Sequence, residues 1–149
     1  MPVKNGYIIT TNVANVKRVE CNEAWLIARA GKDIPGTIRV KELAPSPGLY
    51  REYFTEWRHK DPEGWWPQYK AVFVRELQSL EKLNKLRELW SLVNAGKVIA
   101  LVCFCKDANH CHRLLVGQFL MSQGIHVEEH SEVETSSDSK GAYSQMSLF

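Results

Sequence analysis

Sixteen residues decide the fold: Val98-Ile99-Ala100-Leu101-Val102-Cys103-Phe104-Cys105-Lys106-Asp107-Ala108-Asn109-His110-Cys111-His112-Arg113. The first eight are apolar and do not alternate. They predict a strand over 98–105 that is covered on both faces, as central parallel strands are. Lys106-Asp107-Ala108 reads as a short loop. Asn109 is a good N-cap, and a helix is expected from His110 to Gln123 with Gly124 as its stop.

Working outward, Tyr7-Ile8-Ile9-Thr10-Thr11 is β-branched and aromatic and predicts a first strand. Ala24-Trp25-Leu26-Ile27-Ala28 predicts a second, buried one. Residues 31–47 carry Pro35, Gly36, Pro45 and Pro47 and read as a long loop. A short helix is expected over 49–57, broken by Asp61-Pro62-Glu63-Gly64. Tyr69, Val72, Phe73, Leu77 and Leu80 then repeat helically from Pro67 to about Ser79. A further helix carries Leu83, Leu86, Trp90 and Val93 and ends at Gly96. Ile125-His126-Val127-Glu128 reads as a last edge strand. Strands interleaved with helices give the expected class: a single α/β, Rossmann-like domain with a mostly parallel sheet and flanking helices.

The chain has 149 residues, 44% hydrophobic and 24% charged, with a formal net charge of +2. That length can bury a core without staples. No apolar run reaches the roughly 18 residues of a membrane helix, so no membrane partner is expected. The net charge is too small to argue nucleic-acid binding alone. Residues 131–149 carry −2, which leaves +4 on residues 1–130. No secretory signal is visible at the first residues, so Cys21, Cys103, Cys105 and Cys111 read as reduced thiols of a cytoplasmic protein.

The chemistry is expected beyond the carboxyl end of the 98–105 strand, where open α/β sheets place their ligands. Cys111 falls in the first helical turn, where backbone N–H groups and the helix dipole favour a thiolate or a bound phosphate. His112 offers a proton-transfer group and Arg113 an anion clamp. Three readings stay open. Cys111, with Cys103, His112 and Arg113, forms an anion-binding or nucleophilic site. Or some of Cys103, Cys105, Cys111, His110 and His112 hold zinc, although one compact cluster lacks the usual two separated ligand pairs. Or the cysteines are small core residues. No metal or other cofactor is expected unless the zinc reading holds. Arg29, Lys32 and Asn109 are candidate ligand-binding residues, and Arg39 and Lys41 flank the same loop. Residues 50–73 hold eight of the fifteen aromatics, interleaved with Arg51, Arg58, Lys60 and Lys70. That mixture can stack bases and hold phosphates, or it can simply cover the sheet.

Cys103-Phe104-Cys105 followed by Cys111-His112-Arg113 resembles the signature of the domain-of-unknown-function family 488. Lys41-Glu42-Leu43-Ala44-Pro45-Ser46 is similar to a further block of that family, as are Asp61-Pro62-Glu63-Gly64-Trp65, the stretch Tyr69 to Leu77, and Tyr7-Ile8-Ile9-Thr10-Thr11. The resemblance covers roughly residues 5 to 130. It implies a Rossmann-like domain and marks Cys103, Cys111, His112 and Arg113 as site residues without roles. Many relatives carry an acidic residue two positions after the strand cysteine, where this chain has Cys105.

After His130 the composition turns polar and Ser-rich, so residues 131–144 read as a disordered linker. Gln145-Met146-Ser147-Leu148-Phe149 resembles the sliding-clamp binding motif of bacterial replication and repair proteins, the pattern Gln-Leu-Ser-Leu-Phe. Gln145 can bond a pocket rim while Met146, Leu148 and Phe149 fill apolar pockets. Three anchors contribute about 5–9 kcal/mol gross, hence about micromolar affinity or weaker after ordering costs. The expected protein is a bacterial or phage DNA-metabolism accessory factor. Its domain, residues 1–130, binds a phosphate-bearing ligand, a nucleotide or nucleic acid, and residues 145–149 tether it to the clamp. The alternatives are a non-catalytic regulator that competes for the clamp, and a cysteine- or zinc-dependent nucleotide-processing enzyme.

Overall fold

The computed structural model describes residues 6–105 and 107–130. The linker and the clamp-type peptide lie outside the described residues.

Five strands form one sheet: β1 (Tyr7–Asn12), β2 (Glu23–Leu26), β3 (Ile38–Arg39), β4 (Val98–Cys103) and β5 (Val127–His130). Their order is β3-β2-β4-β1-β5 and every pairing is parallel. β4 is central, in register with β1 from Tyr7 opposite Val98 to Asn12 opposite Cys103. The α/β class and the parallel sheet follow the sequence reading. β3 was hidden inside the expected 31–47 loop, because two residues carry no periodicity.

The two faces of the sheet are covered differently. Ile8, Trp25, Ile99, Leu101 and Cys103 point into the larger core. There they meet residues of α2 (Pro62–Glu76), α3 (Leu80–Asn94) and α4 (His112–Ser122). Ile9, Ala24, Leu26, Ala100 and Val102 point the other way and are covered by Val13, Val16, Val19 and Ile34. Those four belong to the connections after β1 and after β2. The direction of travel explains this. Chain moving from β1 to β2 and on to β3 runs toward one edge. Chain moving from β3 to β4 and on to β5 runs toward the other. A single crossover hand puts the two sets on opposite faces. β4 is therefore sealed on both sides, although its second face is covered by irregular chain and a 3₁₀ turn at Val16–Arg18.

Three helix starts differ from the sequence reading. Asp61-Pro62 begins α2 instead of breaking a helix. The Asp61 side chain accepts from the Glu63 N–H and Pro62 sits in the first turn, where its missing N–H costs nothing. The same logic starts α1 (Pro47–Glu52), with Ser46 accepting from the Leu49 N–H. α1 continues into one π-helical turn, Tyr53–Trp57. Asn109 is not the cap of α4. It lies in a 3₁₀ turn, Ala108–His110, capped by Asp107, whose carboxylate accepts from the Asn109 N–H at 3.0 Å. Cys111 is the N-cap residue of α4. The extra turn consumes the residues that the sequence reading gave to the helix.

Candidate active site at the switch point of the sheet

After β2 the chain departs toward β3; after β4 it departs toward β5. The carboxyl ends of these two adjacent strands therefore diverge and leave a crevice, the usual ligand position in such sheets. A cavity of 330 Å³ opens there. Cys103, Cys105, Cys111 and His112 border it from β4 and α4, and Arg29 and Gly31 border it from the loop after β2.

Cys103 is held at the end of β4 and Cys111 at the cap of α4, both buried. Their Sγ atoms are 3.1 Å apart. The three sulfurs of Cys103, Cys105 and Cys111 lie within 4.8 Å of one another. Burial pushes the Cys111 thiol up. Hydrogen bonds from the Cys103 and Cys105 thiols, the positive charge of Arg113 and its backbone N–H outweigh burial and hold it well below the usual thiol range. Cys105 is pushed well above that range, first by its hydrogen bonds to the other two sulfurs and then by burial. Cys103 is raised by burial. The trio thus favours one thiolate, at Cys111, with two thiols donating to it.

Arg113 is 0% exposed. Its Nη2 lies 2.8 Å from Glu129 Oε2 and its Nε also donates to that carboxylate. One Nη1 donates to Cys103 Sγ and to the Cys105 carbonyl, both at 2.9 Å, and lies 3.9 Å from Cys111 Sγ. The guanidinium fork is turned inward, so Arg113 is an internal counter-cation for the thiols and not a clamp open to a ligand. Glu129 is placed by the β1–β5 register opposite Thr10, whose hydroxyl donates to Oε1 at 2.6 Å.

His112 is buried, and burial lowers its pKa, so the ring is neutral. Nε2 lies 2.5 Å from the Ile27 carbonyl. A carbonyl only accepts, so Nε2 carries the proton and Nδ1 is left with a lone pair. Nδ1 faces Cys111 Sγ at 3.8 Å. The backbone after β2 thus selects the tautomer whose Nδ1 lone pair faces the site.

The sequence candidates divide. Cys103, Cys105, Cys111, His112 and Arg113 converge, and Arg29 borders the cavity while its Nε donates to the Pro45 carbonyl at 2.7 Å. Arg29 also edges a wider hollow of 830 Å³ with Arg39, Lys41 and Lys82. Lys32 and Asn109 border neither cavity. The aromatic segment splits as well. Trp57, Trp65 and Tyr69 pack together, Trp57 stacked on Trp65 at 5.9 Å. Tyr50, Tyr53, Phe54 and Arg58, together with Tyr69, border the cavity. Glu129 and Phe104 were not singled out from sequence. Glu129 falls just past the expected 125–128 strand, next to Glu128, and looks solvated, and Phe104 looks like one more core residue of the 98–105 strand.

No helix among the described residues is long and apolar enough to cross a membrane. No curated protein and no solved structure matches the chain significantly. One family profile, described as the Active DUF488-N3 subclade, matches residues 8–124, a span that contains β1 from Ile8 onward, all of β2, β3 and β4, and the whole cysteine cluster. The chain belongs to this DUF488 family.

Proposed function

We propose that the chain is a DNA-metabolism accessory protein whose Cys111 thiolate acts on a phosphate-bearing ligand or nucleic acid in the switch-point crevice, and whose residues 145–149 tether it to a sliding clamp. The observation that carries the site is the Cys111 cap itself. A buried sulfur sits at a helix N-terminus with an internal arginine behind it, a histidine lone pair beside it and an open cavity in front. Such a sulfur is a nucleophile at neutral pH. His112 Nδ1 can accept a proton from the reacting group. The tether rests on the Gln-Met-Ser-Leu-Phe resemblance alone.

Two measurements test this. Alkylation of Cys111, followed by mass spectrometry against pH, should reach half its limiting rate well below the ordinary thiol pKa of about 8.5; ordinary titration would refute the thiolate. Purified clamp should retain the full chain and release one ending at Ser144, while equal retention would end the tether.

A second reading is favoured by the 4.8 Å grouping of Cys103, Cys105 and Cys111. Three thiolates are a suitable soft donor set for zinc, with an open fourth position. One zinc per purified chain, lost in Cys105→Ser, would establish it over the free nucleophile.

A further inference from the structure

The rim of the cysteine cavity has a different chemistry from its floor. Cys103, Cys111 and His112 are buried, while Phe54 and Phe104 on the same cavity are 43% and 37% exposed. Two exposed phenylalanines bordering one cavity, directly beside its buried sulfurs, mark a surface that a ligand covers.

Both rings are positioned by unusual backbone. The π turn Tyr53–Trp57 widens the helix, and such turns recur at functional sites. Tyr50, Tyr53, Phe54 and Arg58 then all meet the cavity. On the opposite side Gly31 has φ +94, and a Cβ there would lie 2.7 Å from Phe104 Cε2. Only glycine lets the loop after β2 fold so closely over that ring. The Arg58 guanidinium lies 3.7 Å above the Phe54 ring, and among the described residues it has no carboxylate partner. Arg29 stands on the same cavity. The assembly offers the Phe104 ring, the Phe54 ring with a cation over one of its faces, and sulfurs beneath.

We infer that the cavity takes a nucleotide, its base stacked at the Phe54–Phe104 rim, its phosphate near Arg58 and Arg29, and its base or sugar directed toward Cys111. This inference rests on the ligand-binding reading above and names its substrate class. The volume of 330 Å³ suits one nucleotide rather than a folded polymer. The same chemistry is met in a free mononucleotide and in a single base turned out of a strand.

The test is equilibrium binding to the full chain of thymidine and adenosine 5′-monophosphates, ribose 5-phosphate and a labelled single-stranded octanucleotide. A nucleotide, an oligonucleotide or both should bind, with ribose 5-phosphate at least tenfold weaker. Phe54→Ala and Phe104→Ala should each weaken binding about tenfold, as loss of one base–aromatic stack does. Phe54→Tyr and Phe104→Tyr should retain it. Thermal melting will show that these rim variants fold. Preference for mononucleotide or strand identifies the source. Binding by none of the three base-bearing probes, ribose 5-phosphate binding as tightly as they do, or alanine variants binding like the parent would each overturn the inference. Cys111→Ser separates the two proposals. If it binds nucleotide while Cys111 in the parent titrates as an ordinary thiol, the base site stands and the thiolate falls. A low thiol titration with no base-dependent binding gives the reverse.

Discussion

Arg113 and Lys82 are both cations sealed inside the domain, one 0% and the other 4% exposed, and they are held by different partners. Arg113 meets a buried carboxylate and the sulfurs of the site. Lys82 meets carbonyl dipoles and an aromatic face, with Nζ 2.8 Å from the Glu42 oxygen, 2.7 Å from the Ala44 oxygen and 5.9 Å from the Phe73 ring centroid. Burial lowers the Lys82 pKa, with Glu76 and Glu81 opposing. Arg113 is instead held even more firmly charged than usual: burial opposes its charge, but the Glu129 bonds and the nearby sulfurs outweigh it. A charge that must act on a neighbour needs a fixed opposite charge to hold it. A charge that only ties down a loop can be solvated by that loop. Lys82 joins α3 to the 3₁₀ turn Lys41–Leu43 and its exit, whereas Arg113 joins α4 to β4, β5 and the thiolate.

Removing one partner of the charged pair is expected to have the largest effect. Glu129→Ala strands a buried guanidinium and should lower unfolding free energy by about 3–5 kcal/mol in urea titrations. Replacing both, Arg113→Leu with Glu129→Leu, should recover most of that stability. In the same double variant the Cys111 thiol should titrate higher than in the parent. Recovered stability with an unmoved thiol would show that Arg113 is structural only.

Lys82→Met leaves the Glu42 and Ala44 carbonyls without their donor, and should cost about 1–3 kcal/mol. Because Lys82 has no carboxylate to strand, its loss should exceed the Glu129→Ala cost only if the comparison is wrong.

A smaller effect depends on pH. The folded Cys111 thiol titrates below its unfolded value of about 8.5. Between the two values the unfolded chain binds more protons, so stability should rise with pH across that window. This contribution is complete above about 8.5 and is lost as pH falls through the folded value. Cys111→Ser should remove the slope in urea midpoints, and an unchanged slope would assign it to other groups.

The solvent-screened reference is the half-buried Lys85, 3.2 Å from Glu88 on α3 and 5.9 Å from the Trp25 ring centroid. Lys85→Ala should change stability by less than about 0.5 kcal/mol, in contrast to both buried cations.

Much of this architecture was legible without coordinates. The continuous apolar run ending in Cys103 could be buried on both faces only in a central parallel strand, and Cys111 followed by His112 and Arg113 stood where such a strand hands over to its helix. Local signals misled where two positions compete for one role. Asn109 and Cys111 both precede an apolar helical pattern, and the Asp107-capped turn decides between them. Asp61-Pro62 is chemically a stop or a start, and packing of Trp65, Tyr69 and Phe73 makes it a start.

The sequence by itself determined the class of fold and the residue types at the end of β4, because strand burial and helix caps are read from neighbours along the chain. Only the tertiary structure decided the roles. Glu129 comes from the edge of the sheet to turn Arg113 inward, the Ile27 carbonyl chooses the His112 tautomer, and Gly31 and the π turn set Phe104 and Phe54 at one rim. Each of these depends on groups far apart in sequence. Charge pairing and ring placement act through space, and no local pattern encodes which distant partner will be there.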